Sequence, residues 1–308
     1  MLRAYPRCVR MLVLGGGWFL GRAVVEVALG AGDQVTVFNR GLSPSPRGDV
    51  ECLRGDRADD KDLARLAEHG PWDAVVDVHG VVPRQVGAAA AALREVASRY
   101  AFVSSVSAYQ RWPAEPVTEE SPLHPADPDA DPGEWEWGTG VYGPLKAGVG
   151  AAARQRFGVE RLLVLRPGVR LGPGEYGGRL TWWLRRAARG GHILGAGAAQ
   201  DAIRPIDVRD GAAFLVGLLH ARVTGTLNVA GPDGRDTIGD LIDGCLRVAR
   251  GDGVVTWVDS SWLGEQGVRQ WVEMPLWRTL PGTWAIDRTR AAAAGLVCRP
   301  LDDTVADT

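Results

Sequence analysis

Val9-Arg10-Met11-Leu12-Val13-Leu14-Gly15-Gly16-Gly17-Trp18-Phe19-Leu20-Gly21 decides how this chain is read. Residues 9–14 form an apolar run broken only by Arg10, the pattern of a parallel strand buried on both faces. Residues 19–29 then carry a helical spacing of apolar side chains that ends at Gly30 and Gly32. A strand that passes through a glycine turn into a helix opens a βα unit. Glycine there permits a tight turn and close approach to the backbone N–H groups at a helix N-terminus.

The unit repeats outward from this point. Strands are expected at 34–38, 50–53, 74–78, 100–103 and 161–165, with helices at 58–68, 83–98 and 142–157. This alternation predicts an α/β fold, a Rossmann-type doubly wound parallel sheet with right-handed crossovers. Between Arg111 and Gly140 the pattern stops, and Pro113, Pro116, Pro122, Pro125, Pro128 and Pro132 mark a long loop. Trp112, Trp135 and Trp137 are read as its anchors, holding it over a pocket. Further on, helices are expected at 180–188, 207–221, 237–249 and 287–294, and strands at 226–230 and 254–258. The strand at 226–230 is read as rejoining the sheet. The predicted division is 1–168 for the sheet domain, rejoined by residues 200–231, with 169–199 and 232–308 as a smaller C-terminal substrate-binding lobe.

Composition narrows the possible functions. The chain has 308 residues, with 45% hydrophobic and 23% charged, so it has the makeup of a globular protein. A net charge of −2 provides no field to recruit nucleic acid or an anionic membrane, and neither is expected as a partner. No apolar run reaches the roughly 18 residues of a membrane helix, and the basic start is not a signal peptide, so a cytoplasmic protein is expected. Cys8, Cys52, Cys245 and Cys298 show no metal-ligand spacing. They are read as buried, reduced thiols, with no metal site. Lys61 and Lys146 are the only lysines in an arginine-rich chain, which singles out Lys146.

After a strand and before a helix, Gly15, Gly17, Trp18, Phe19, Leu20 and Gly21 are expected to bind the phosphates of a dinucleotide. The second strand ends in Asn39 and Arg40, where an NAD site ordinarily carries an acid. A guanidinium suits a 2′-phosphate, with Arg22 as a possible assistant, so NADP(H) is favoured over NAD(H). Asp56 is placed near the adenine, and His79 and Gly80 along the cofactor. Ser104 joins them at the end of the fifth strand.

Tyr142-Gly143-Pro144-Leu145-Lys146 puts a phenol and an ammonium one helical turn apart on one face. The ammonium is expected to lower the phenol's pKa, so that Tyr142 acts as general acid or base. Phe102-Val103-Ser104-Ser105-Val106-Ser107-Ala108-Tyr109 sets serine hydroxyls at the carboxyl end of a strand, facing the ligand crevice. Together the glycine loop, the serines and the Tyr-x-x-x-Lys resemble the short-chain dehydrogenase/reductase superfamily, in its extended or atypical branch of epimerase/dehydratase-like reductases. Residues 165–174 and 203–210 resemble it too, so the likeness runs over most of the chain. The resemblance implies that Tyr142 is the acid/base. It implies that Ser105 holds the reacting oxygen and that Lys146 binds the nicotinamide ribose. Pro167 and Val169 would lie by the cofactor, and Tyr109, Arg204 and Trp271 by the substrate. It also implies a homodimer.

The chain departs from the family at several positions. Trp18 stands at the middle glycine of the loop. Val106-Ser107 replaces the Asp-Glu pair of sugar dehydratases, which argues against that dehydration. Val169 and Ile203 replace an Asn and an Arg of nucleotide-sugar enzymes, with Arg204 adjacent to the latter. The reading is therefore an NAD(P)-dependent oxidoreductase acting on a small molecule. The alternative is a sugar or nucleotide-sugar epimerase with tightly bound NAD. An RNA-binding or cofactor-sensing protein is the remote third, and the near-neutral charge disfavours it. Trp182, Trp183, Trp257, Trp262, Trp271, Trp277 and Trp284 are read mostly as core, with 270–277 as a pocket wall. Arg170, Arg179 and Arg204 are candidates for binding an anionic group, or are surface residues.

Overall fold

In the computed structural model the described residues are 8–42, 50–133 and 140–308. Strand β1 (Arg10–Leu14) shows how the sheet is held. Its side chains alternate between two apolar layers. Met11 and Val13 join the layer containing Val24, Val25 and Leu215. Leu12 and Leu14 join the one containing Leu93, Val149 and Phe157. All four are fully buried, so the run needs no polar face.

The chain continues through α1 (Phe19–Gly30), β2 (Gln34–Asn39), β3 (Glu51–Arg54), α2 (Asp60–Glu68), β4 (Ala74–Asp77), α3 (Pro83–Leu93), β5 (Tyr100–Val103), α4 (Tyr142–Phe157) and β6 (Leu162–Pro167). There follow β7 (Arg170–Leu171), α5 (Arg179–Ala188), β8 (His192–Ala196), β9 (Ala202–Ile203), β10 (Ile206–Asp207), α6 (Val208–His220) and β11 (Gly225–Val229). Last come β12 (Asp236–Thr237), α7 (Ile238–Ala249), β13 (Val254–Val258), α8 (Ser260–Glu265), α9 (Thr289–Ala293) and α10 (Leu301–Ala306).

Seven strands form one parallel sheet in the order β11-β6-β5-β4-β1-β2-β3. Helices α1 and α6 cover one face, and α2, α3 and α4 the other. This is the doubly wound sheet that the strand–helix alternation predicts, with β11 rejoining it beside β6. The order reverses between β1 and β4, where such sheets open a crevice at their carboxyl ends. A separate core around Leu180, Trp183, Ile193, Leu241, Cys245 and Trp277 draws on residues after β6.

Several expectations are corrected. Helix α3 ends at Leu93, five residues early. Ala97 already bridges Trp72, and the Ser98 N–H bonds the Trp72 carbonyl, so the chain is extending into β5. Strand β8 and helices α8 and α10 lie in stretches without a strong apolar period. Of the cysteines only Cys245 is buried; Cys8 and Cys52 are exposed and Cys298 is half-buried.

From Arg111 to Gly133 the loop is tied down by isolated bridges, Val117 to Ile286 and Tyr109 to Leu123. Glu120 pairs with Arg290, and the Arg278 guanidinium lies 5.5 Å from the Trp112 ring centre. Trp135 and Trp137 fall outside the described residues.

Candidate active site

The switch point opens into a cleft of about 670 Å3. Gly15, Trp18, Phe19, Leu20, Gly21, Asn39, Arg40, Asp56 and His79 line it. Gly17, Gly80, Ser104, Ser105, Tyr142, Lys146, Pro167 and Val169 are not among its lining residues. Gly15 takes a φ of +98°, and a Cβ at Gly21 would lie 2.3 Å from the Gly15 carbonyl oxygen. Glycine at these two positions lets the helix start hard against the turn. Trp18 has a φ of −126°, an extended conformation open to any residue, and its side chain is exposed. No side chain caps this end of α1. The first N–H groups of a helix lack intrahelical partners, and here they start beside the cleft.

Arg40, Arg57 and Arg170 line the cleft against a single carboxylate, Asp56. Size and charge thus fit a dinucleotide carrying phosphates. The Asn39 Oδ1 already accepts from the Gly41 N–H at 2.7 Å. The Asp56 carboxylate accepts from the Ala58 N–H at 2.9 Å. Burial, and then the Arg57 charge, hold the His79 imidazole below its ordinary pKa, which favours the neutral ring.

Tyr142 opens α4, and its hydroxyl is hydrogen-bonded to Ser105. Two local features bring them together. Ser105 caps the short 3-10 turn Val106–Ala108, accepting from the Ser107 N–H at 3.1 Å. A Cβ at Gly143 would stand 2.5 Å from the Ser107 carbonyl oxygen, so glycine lets the helix start against this turn. Ser104 is buried, and its hydroxyl donates to the Lys146 carbonyl at 3.4 Å.

The expected electrostatics need correction at Tyr142. Burial pushes its phenol above the ordinary value, and the opposing cation is chiefly Arg170, with Arg179 further behind. The buried Lys146 Nζ instead donates to the carbonyl oxygens of Gly80 and Val103, each at 2.9 Å. It also lies 4.8 Å from the Phe102 ring centre. Burial brings its pKa down to about 7, although Asp77 pulls upward.

Asp77 is fully buried and takes a two-pronged contact from Arg57 at 2.9–3.2 Å. The Tyr100 hydroxyl donates to it at 3.0 Å. Burial alone would raise this carboxyl; the Arg57 charge and the hydrogen bonds from Arg57 and Tyr100 together outweigh that and hold it below the ordinary range.

Tyr109 is fully buried, with its hydroxyl donating to Asn228 Oδ1 at 2.7 Å and accepting from Arg166 at 3.0 Å. Arg204 donates to the Gly231 and Trp284 carbonyls. Neither lines the cleft. Both tie distant segments of the chain together. Trp271 lines a second cavity of about 460 Å3 with Trp182, Arg179, Arg185, Arg186 and Arg189. Trp183 and Trp277 are buried, as a core reading requires, whereas Trp262 is exposed. Arg57, Gln85 and Tyr176 line the cleft unforeseen, because no motif marks them and only the folded chain brings them there.

Neither a protein-family model nor a curated protein matches the chain. Solved structures do match in fold. A candidate epimerase from Burkholderia cenocepacia is 21% identical, with 97% of this chain and 96% of that one covered and a TM-score of 0.74. Bordetella bronchiseptica WbmG in complex with NAD is 18% identical, covering 98% and 93%, with a TM-score of 0.73. UDP-N-acetylglucosamine 4-epimerase from Bacillus cereus is 18% identical, covering 97% of each chain, with a TM-score of 0.68. The chain therefore has the Rossmann-type fold of these proteins, in agreement with the likeness read from its sequence motifs.

Proposed function

We propose that the protein is an NAD(P)-dependent oxidoreductase of the short-chain dehydrogenase/reductase superfamily, extended type. It passes a hydride between a nicotinamide and a carbonyl or alcohol carbon of a small molecule. The observation that carries this reading is the Tyr142–Ser105 hydrogen bond beside a cleft that starts at the glycine loop. Hydride chemistry is the cofactor's contribution when it is bound.

The chain's residues orient the substrate and move the proton. Ser105 holds the reacting oxygen. Tyr142, kept protonated by burial, gives that oxygen its proton in the reductive direction. Lys146 fixes the segment after β4 to the end of β5 with two donors, and in its charged form keeps a third for the nicotinamide ribose. Arg40 and the absence of an acid at the end of β2 favour NADP(H) over NAD(H). Titrating the protein with NADPH and NADH, read by quenching of its tryptophans, tests the cofactor site. Tyr142→Phe tests the chemistry: nucleotide binding is retained while turnover falls by about 100-fold or more. Loss of both together would sink the reading.

A second reading is an epimerase that retains NAD. It is supported by two fold neighbours described as epimerases and by a third solved in complex with NAD. Purified protein that carries NAD through gel filtration favours it.

A further inference from the structure

We infer that Arg170 receives an anionic group of the substrate, a carboxylate or a phosphate, carried a few bonds from the carbon that reacts at Tyr142. This rests on the oxidoreductase reading above and names its substrate class.

Arg170 begins β7, just past the carboxyl end of β6, and its side chain lines the cleft. Its charge is favoured by the phenols of Tyr142 and Tyr176 and opposed by the cations Arg179 and Lys146. Carboxylates close in sequence or pairing are engaged elsewhere. Glu175 accepts from the Arg179 and Leu180 N–H groups at 3.0 Å and caps α5. Asp207, paired across from Leu171, holds Arg209 at 2.7 Å. Among the described residues, the Arg170 guanidinium has no hydrogen bond or carboxylate partner.

Other arginines drawn into the fold differ. Arg57 is clamped by Asp77, Arg166 donates to Tyr109, and Arg204 donates to the Gly231 carbonyl. A half-buried cation without a counter-charge is costly, and the cost is met when a ligand brings that charge. A guanidinium fork matches a carboxylate or phosphate through two parallel hydrogen bonds. Because the Arg170 charge acts on the phenol that would give the reacting oxygen its proton, the anionic group must lie close to the reacting carbon. Oxo or hydroxy acids, or their phosphate counterparts, have this form. The cofactor's diphosphate is the rival anion, and the uncapped start of α1 is its natural seat.

The test uses the whole protein saturated with NADPH. Oxamate, malonate and inorganic phosphate are the probes, with neutral oxamide as control, read by the fluorescence of the bound nucleotide. At least one anion binds saturably and oxamide does not. In Arg170→Met the anion's affinity falls by about tenfold or more, Arg170→Lys recovers part of it, and NADPH affinity stays within about twofold. Wild-type protein that binds NADPH but none of the anions overturns the inference. So does anion binding that survives in Arg170→Met. If Arg170→Met instead loses NADPH, the residue serves the cofactor and the substrate assignment is wrong. Wild-type protein that binds no nucleotide fails the oxidoreductase reading itself.

Discussion

The Nζ of Lys146 donates to the carbonyl oxygen of Gly80, 66 residues earlier in the chain, at 2.9 Å. With its second bond, to Val103, this joins the segment after β4 to the end of β5 through one buried side chain. The same lysine thus has a structural cost and a structural role, and they separate by pH.

Burial lowers the Lys146 pKa from 10.5 to about 7. Between these values the unfolded chain holds the proton and the folded protein does not. Stability from this group therefore rises with pH across that window, and the burial penalty is full below it. Lys146→Met abolishes the titration. Relative to wild type, the variant fares best near pH 6 and progressively worse towards pH 10. Urea unfolding at both ends checks this, and a difference constant with pH counts against it.

Asp77 is the counter-charge for Arg57 and draws on Lys146 as well. Asp77→Asn leaves cations enclosed without it, at a cost of about 3–5 kcal/mol. The expected outcome is a large drop in the unfolding midpoint. An unchanged midpoint would show that water screens this pair.

Arg40 tests the cofactor preference. Arg40→Glu supplies an acid near the end of β2, repels a 2′-phosphate and suits free ribose hydroxyls. The ratio of NADPH to NADH affinity is expected to fall by about tenfold or more. A ratio that does not move places the 2′-phosphate away from Arg40.

Two glycines make opposite predictions for the same substitution. Gly21→Ala puts a methyl group 2.3 Å from the Gly15 carbonyl oxygen, so it breaks the turn and nucleotide binding with it. Gly150→Ala, within α4, meets nothing within 4 Å and is expected to stabilise by about 0.5–1 kcal/mol. Thermal melts with and without nucleotide compare them.

Much of the fold was legible because its signals are local. The apolar run into Gly15, Gly16 and Gly17 states a βα turn without help from the rest of the chain, and the parallel sheet follows from repetition of that unit. Tyr142 and Lys146 were legible for the same reason, since helical spacing fixes their common face. Long-range pairing was not legible. Nothing local pairs Tyr109 with Asn228, 119 residues away, which accepts the hydrogen bond of its hydroxyl. Arg57 lies in an unremarkable acidic stretch until Asp77 turns it into the cleft wall.

The sequence by itself determined the doubly wound sheet, the glycine turn and the Tyr142–Lys146 spacing, because backbone sterics and side-chain periodicity act over a few residues. Tertiary structure alone decided the charges around the site. Burial and partners come from distant strands, so only the folded chain turns Lys146 to Gly80 and sets Arg170 before Tyr142.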